Sequence, residues 1–251
     1  LIFAFNPNGT LTDYSRSDTT TDIPDDVQPS FEKAVLAIRN RRFEDALDIL
    51  NEAITTNPTV ARLYFNRGDV LADMGRREDA IADYTRVMEL QPENPEAYYN
   101  RAVTYQEMQN RKQAFADFSQ ALRLNPEHYA AYVNRGGILL HAGQLDKAIE
   151  DFTRAITINP QGFHAYLYRG RAYVKRGAYE QAVVDFNRSN DIQPQYDTLL
   201  DRAEAYAAAD RTKEAIADYE EFLRVGGGQR FGNQAEIQAR IRELKKKRSW
   251  F

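Results

Sequence analysis

The chain has 251 residues, 43% hydrophobic and 28% charged, with a formal net charge of −4. No apolar run nears the ~20 residues that cross a bilayer, and the slight acidic excess offers no general attraction to nucleic acid. With no Cys, disulfides and thiolate metal sites are excluded.

Residues 1–26 begin with the apolar Leu1-Ile2-Phe3-Ala4-Phe5 and continue through Asn, Gly, Thr, Ser and Asp without a helical period. This composition predicts an extended or disordered arm; a sharper expectation is that Leu1 to Phe5 docks on a groove of this chain or a neighbour. The first residue is not Met, so a targeting segment upstream stays open. The expected compartment is the cytoplasm, with export or membrane association left open.

From Val27 onward one unit repeats. Pro58, Pro92, Pro126, Pro160 and Pro194 are spaced by 34 residues, which divides the chain into units 27–60, 61–94, 95–128, 129–162, 163–195 and 196–229, the sixth starting after one deleted residue. The eighth position is always small: Ala34, Gly68, Ala102, Gly136, Gly170 and Ala203. The twentieth is Ala46, Ala80, Ala114, Ala148, Ala182 and Ala215, and the twenty-fourth is Leu50, Tyr84, Phe118, Phe152, Phe186 and Tyr219.

At about 100° per residue, positions 4, 8 and 11 (Tyr98, Ala102 and Tyr105 in the third unit) form one stripe, and positions 20, 24 and 27 (Ala114, Phe118, Ala121) form another. Each unit is therefore expected to be two amphipathic helices. A polar turn such as Gly75-Arg76-Arg77-Glu78 separates them, and Asn125-Pro126 or Gln91-Pro92 ends the second helix, because proline disfavours helix in the residue before it. The first unit carries Ser30 and Ala37, and the sixth Gly227, where aromatics and proline are usual, as terminal units facing solvent on one side would. After Gly226-Gly227-Gly228, residues 230–251 place Ile237, Ile241 and Leu244 at i, i+4 and i+7, which predicts a capping helix ending in the basic run Lys245-Lys246-Lys247-Arg248. That run is read as a solvated terminus favoured by the helix dipole.

The order aromatic, small, aromatic, Ala, aromatic, Pro at these offsets resembles the tetratricopeptide repeat family. The resemblance covers Val27 to about Gln229. It implies an all-α fold, a right-handed superhelical solenoid of helix-turn-helix repeats, whose concave wall receives extended peptides or helices of other proteins.

Two sets of positions bear on function. Position 7 is Arg67, Arg101, Arg135, Arg169 and Arg202 and position 23 is Asp83, Asp117, Asp151, Asp185 and Asp218 in units two to six; the first unit has Lys33 and Ile49. Both flank the buried stripes, so a structural ladder of partly buried Arg–Asp pairs setting helix registry is expected. Positions 2, 6, 9 and 13 lie opposite the buried stripe of each first helix and make the candidate groove. Position 6 is Asn66, Asn100 and Asn134 in three successive units. Such a column can grip a peptide backbone whatever its side chains, and is similar to the asparagine ladder in the repeat domain of O-linked N-acetylglucosamine transferase; alternatively the amides bond within the array. The next units carry Tyr168 and Asp201 there. Cochaperone repeats that hold a terminal carboxylate need cations where this chain has Phe65, Ala130 and Asn134, so that template is set aside.

Charge along the wall is uneven. Apart from Arg62, Asp69, Asp73, Glu96 and Glu107 come early, then His141, His164, Arg171 and Lys175, then Asp197, Asp201 and Glu204. This suggests an amphoteric partner, basic beside units two and three and acidic beside unit five, with Phe65, Tyr99 and Tyr168 supplying apolar contact. Three histidines and no cysteine make a thin catalytic inventory; His141 and His164 bring no third ligand at a metal spacing, and no cofactor is expected. The expectation is a non-enzymatic adaptor or assembly factor that binds proteins through the groove, the alternative being a permanent structural subunit of a larger complex. No self-complementary patch identifies an oligomeric state.

Overall fold

The computed structural model describes residues 23–248. Among these residues the regular structure is helical and there is no strand. Helices come in pairs: α1 (Gln28–Arg39) with α2 (Phe43–Thr56), α3 (Ala61–Asp73) with α4 (Arg77–Leu90), α5 (Pro95–Glu107) with α6 (Arg111–Leu124), and α7 (Tyr129–His141) followed by α8 (Leu145–Ile158). Then come α9 (Phe163–Arg176) with α10 (Tyr179–Ile192), α11 (Tyr196–Ala208) with α12 (Thr212–Arg224), a short α13 (Gly227–Phe231) and α14 (Gln234–Arg248). The chain forms two compact units, divided after Arg135 within α7. The Leu1–Phe5 run lies outside the described residues.

Each hairpin is shaped by two local rules. Asn57, Gln91, Asn125, Asn159 and Gln193 sit at φ between −129° and −149° immediately before the repeated prolines, the extended backbone that a following proline imposes. Between the two helices, position 15 is left-handed in every unit: Arg41, Gly75, Gln109, Gly143, Gly177 and Asp210 all have positive φ. The residue after it donates its N–H five residues back, as in Arg76 to Leu71 at 2.8 Å and Ala178 to Tyr173 at 2.9 Å, closing the Schellman-type end of the first helix. In three units this geometry falls on Arg, Gln or Asp rather than on glycine.

The repeated alanines at position 20 are buried throughout, and the aromatics at position 24 fill the space between the paired helices. Their partner is the small residue at position 8. A Cβ added at Gly170 would lie 2.6 Å from the Phe186 ring, so the ring occupies the volume a larger side chain would need. At the N-terminal end Ile23 and Val27 are buried against Ala34, Leu50, Ile54 and Leu63. At the C-terminal end Ile237, Ile241 and Leu244 of α14 join Ile216, Tyr219 and Phe222 of α12 in one cluster. The glycine segment there is not a plain break: Gly226 turns left-handed at φ 88°, and Gly227 and Gly228 start α13, where a side chain would strike Phe222 or Leu223.

Candidate functional site

Position 7 and position 23 meet as a fork on a fork. Arg67 donates to Asp83 at 2.8 and 2.7 Å, Arg101 to Asp117 at 2.7 and 2.9 Å, Arg169 to Asp185 at 2.8 Å twice, and Arg202 to Asp218 at 2.6 and 2.8 Å. The Asp carboxylates are buried and the guanidiniums half-buried. The third guanidinium nitrogen reaches the preceding hairpin at position 25: Arg67 to Asn51, Arg101 to Thr85, Arg135 to Ser119, Arg169 to Thr153 and Arg202 to Asn187. Arg67, Arg101, Arg169 and Arg202 thus each bind their own hairpin by two charge-assisted bonds and the one before it by a third. Sequence reasoning missed the position-25 acceptors, whose signal was a small polar residue recurring one position beyond the aromatic.

On the opposite face of the first unit, the wall residues are tied into one another. Asn66 is buried and donates to the Arg62 carbonyl of its own helix at 2.9 Å. Asn100 donates to Asp69 Oδ1 at 2.9 Å, and the Tyr84 hydroxyl donates to the same oxygen at 2.7 Å. Asn134, also buried, donates to the Tyr99 hydroxyl at 3.2 Å. The three amides therefore each direct a donor inward, the local bonding to which short amides are prone. Asp69 is held near 7, chiefly because burial penalises its charge, with the bonds from Tyr84 and Asn100 pulling the other way. Burial also raises the Tyr99 hydroxyl. Phe65 packs edge-on against Tyr84, Asp73 is exposed, and Glu107 accepts from Arg77 at 2.9 Å.

In the second unit His141 is exposed at the end of α7 and Lys175 is exposed on α9, while His164, Tyr168 and Arg171 are half-buried. His164 stacks on Tyr168 with ring centres 6.3 Å apart, and Arg171 lies over the same tyrosine. Burial first, then Arg171, pushes His164 down to about 4, so its ring is neutral near neutral pH. Arg171 donates to Asp201 at 2.5 Å and lies 3.6 Å from Asp197. The cation expected to meet an acidic guest is thus engaged with neighbouring carboxylates. Where wall positions 9 and 13 of the last pair, Glu204 and Ala208, face α14, a cavity of about 460 Å³ opens, floored by Tyr219, Ile237 and Ala239 and edged by Glu236 and Arg240. None of these α14 residues was picked out as a site in the sequence; the signal was that α14 carries the spacing of a further first helix.

Among the described residues no three His, Cys, Asp or Glu side chains converge as metal ligands, and no described helix is long and apolar enough to cross a membrane. Tetratricopeptide repeat models match residues 31–77, 101–163 and 139–195, and a further TPR repeat model matches 68–109. The chain belongs to the tetratricopeptide repeat family. Solved tetratricopeptide-type structures similar to it include Pseudomonas aeruginosa PilF, with 17% identity, a TM-score of 0.73 and coverage of 85% of this chain and 97% of that one. PilW, described as a widely conserved type IV pilus biogenesis factor, has 18% identity, a TM-score of 0.70 and coverage of 87% and 100%. YrrB, described as a TPR protein with an unusual peptide-binding site, has 20% identity, a TM-score of 0.60 and coverage of 80% and 100%. At these identities the likeness is one of fold. No curated protein sequence matches the chain.

Proposed function

We propose that this tetratricopeptide repeat chain is a protein-interaction scaffold, an adaptor or assembly factor that holds a segment of a partner along positions 2, 6, 9 and 13 of its first helices. The observation that carries this reading is the cavity where Glu204 and Ala208 face α14: there the wall left over from packing forms an open concavity of about 460 Å³. The membership of the family and the description of YrrB as having a peptide-binding site support the same use of the fold. The inward bonding of Asn66 and Asn134 shifts the contact from that pair toward exposed wall residues such as Asp73, His141, Lys175 and Glu204.

The test is site-specific photo-crosslinking in the native source, with p-benzoylphenylalanine replacing Asp73, Lys175 or Ala208 on the wall, or the outward-facing Val184 as comparison. A shared protein partner captured from the wall positions and not from Val184 is expected. Capture from Val184 with none from the wall would overturn the reading.

A further inference from the structure

We propose that the cavity between α11, α12 and α14 is a receptor for a basic side chain, Lys or Arg, presented by the partner segment that the wall holds. This rests on the scaffold reading and narrows it to a guest chemistry. The floor is apolar, made by Ala208, Tyr219, Ile237 and Ala239, and suits the methylene stem of a long cationic side chain, which buries its stem while its head seeks charge.

The rim supplies that charge. The lining carries one guanidinium, Arg240, and three carboxylates, Glu204, Glu236 and Glu243, while Asp201 and Arg171 act on Glu204 from outside it. Both cations are already engaged. Arg171 is bound by Asp201, with Asp197 beside it; Arg240 donates to Glu243 at 2.7 Å. Glu204 and Glu236, which flank the opening, make no ion pair among the described residues. Although Glu204 reaches the surface, partial desolvation first, then Asp201 and Glu236, raise its carboxyl above the ordinary range, and Arg240 and Arg171 do not offset them. A cation entering between Glu204 and Glu236 relieves that repulsion, whereas an acidic guest adds to it.

Lys245 and Lys247 are not the guest. Lys245 is bound to Glu220 on α12 at 2.8 Å and Lys247 to Asp210 in the turn before α12 at 2.7 Å, neither of them among the cavity's lining residues. The occupant we assign is a cation of another protein. The acidic segment expected from the sequence lies beside unit five, so this basic guest, beside the sixth unit and α14, is an addition to it.

The test is fluorescence anisotropy with a labelled dodecapeptide of alternating Lys and Ala, its Glu-for-Lys counterpart as comparison. Three variants accompany the full chain: Glu204→Gln with Glu236→Gln, Ala239→Trp to fill the cavity without altering charge, and Glu52→Gln with Glu150→Gln, which removes the same charge elsewhere. Far-UV circular dichroism confirms that each is folded. The Lys peptide is expected to bind and the Glu peptide not to bind, with a loss of about tenfold in the first two variants and less than about twofold in the third. An equal loss in the third variant, equal binding of both peptides, or no binding of the Lys peptide overturns the proposal. So does a dimer in sedimentation that Glu204→Gln dissociates, since a second copy would then fill the cavity. Wall crosslinks that persist while the peptides fail leave the scaffold reading standing without this guest; loss of both removes the scaffold reading as well.

Discussion

Breaking the Arg169–Asp185 fork from one side and then from both separates registry from net stability. Asp185 is 4% exposed and Arg169 17% exposed. Burial raises the Asp185 carboxyl despite Arg169, while Asp185 raises Arg169 despite burial. The deeper partner carries the desolvation cost and the shallower one keeps the gain, so the pair as a whole is close to neutral against an apolar replacement. Losing one partner of a buried pair costs about 3–5 kcal/mol. Arg169→Met is expected at the full ~3–5 kcal/mol, because Asp185 then has no cation and almost no water. Asp185→Ala is expected at a smaller ~2–3 kcal/mol, since Arg169 retains its bond to Thr153 and swings partly to solvent. The double variant Arg169→Met with Asp185→Leu is expected within ~1 kcal/mol of the parent. Urea unfolding followed by far-UV circular dichroism measures all four chains. Single losses below ~0.5 kcal/mol that simply add in the double variant would refute coupling through the fork.

Three other outcomes are expected. A Cβ at Gly137 meets nothing within 4 Å, so Gly137→Ala stabilises by about 0.5–1 kcal/mol through helix propensity; Gly170→Ala, which strikes the Phe186 ring, destabilises by ~1 kcal/mol or more in the same melts. Asp69 is held near 7, above its ordinary 3.8, so the folded chain binds this proton more tightly. That contribution is complete below about pH 4 and is lost as pH rises through about 7, on the order of 2–4 kcal/mol, and a pH series of urea melts should flatten by that amount in Asp69→Asn. His164 is held near 4 against an ordinary 6.5, so its contribution is instead lost as pH falls below about 6.5. The ring signals in NMR should stay those of neutral imidazole at about pH 5, and a midpoint near 6.5 would contradict its burial.

The hairpins and the Arg–Asp pairs were readable from residues alone because each depends on nearest neighbours at a fixed offset. Ala182 and Phe186 must face the same partner helix, and Arg169 and Asp185, sixteen positions apart, must meet if the two helices pair at all. The fate of the asparagines was not readable in the same way. Position 6 faces the wall, yet Asn66 finds an acceptor one turn back on its own helix and Asn134 finds the Tyr99 hydroxyl in the preceding hairpin. These choices depend on small rotations that a helical wheel does not resolve. The cavity was hidden for another reason: Ile237, Ile241 and Leu244 marked α14 as apolar on one side, but the space between Glu204 and Arg240 depends on how far that helix stands from α11.

The third nitrogen of each position-7 arginine has a consequence for how such a chain can change. The joint between successive hairpins needs only an arginine on one side and a hydroxyl or amide on the other, and Asn51, Thr85, Ser119, Thr153 and Asn187 all serve. A coupling that accepts so many complements makes the hairpins interchangeable cassettes. Duplication or shuffling of units two to five, which carry both parts of the joint, preserves it on each side, and the surface presented to partners can be edited by rearrangement as well as by point substitution.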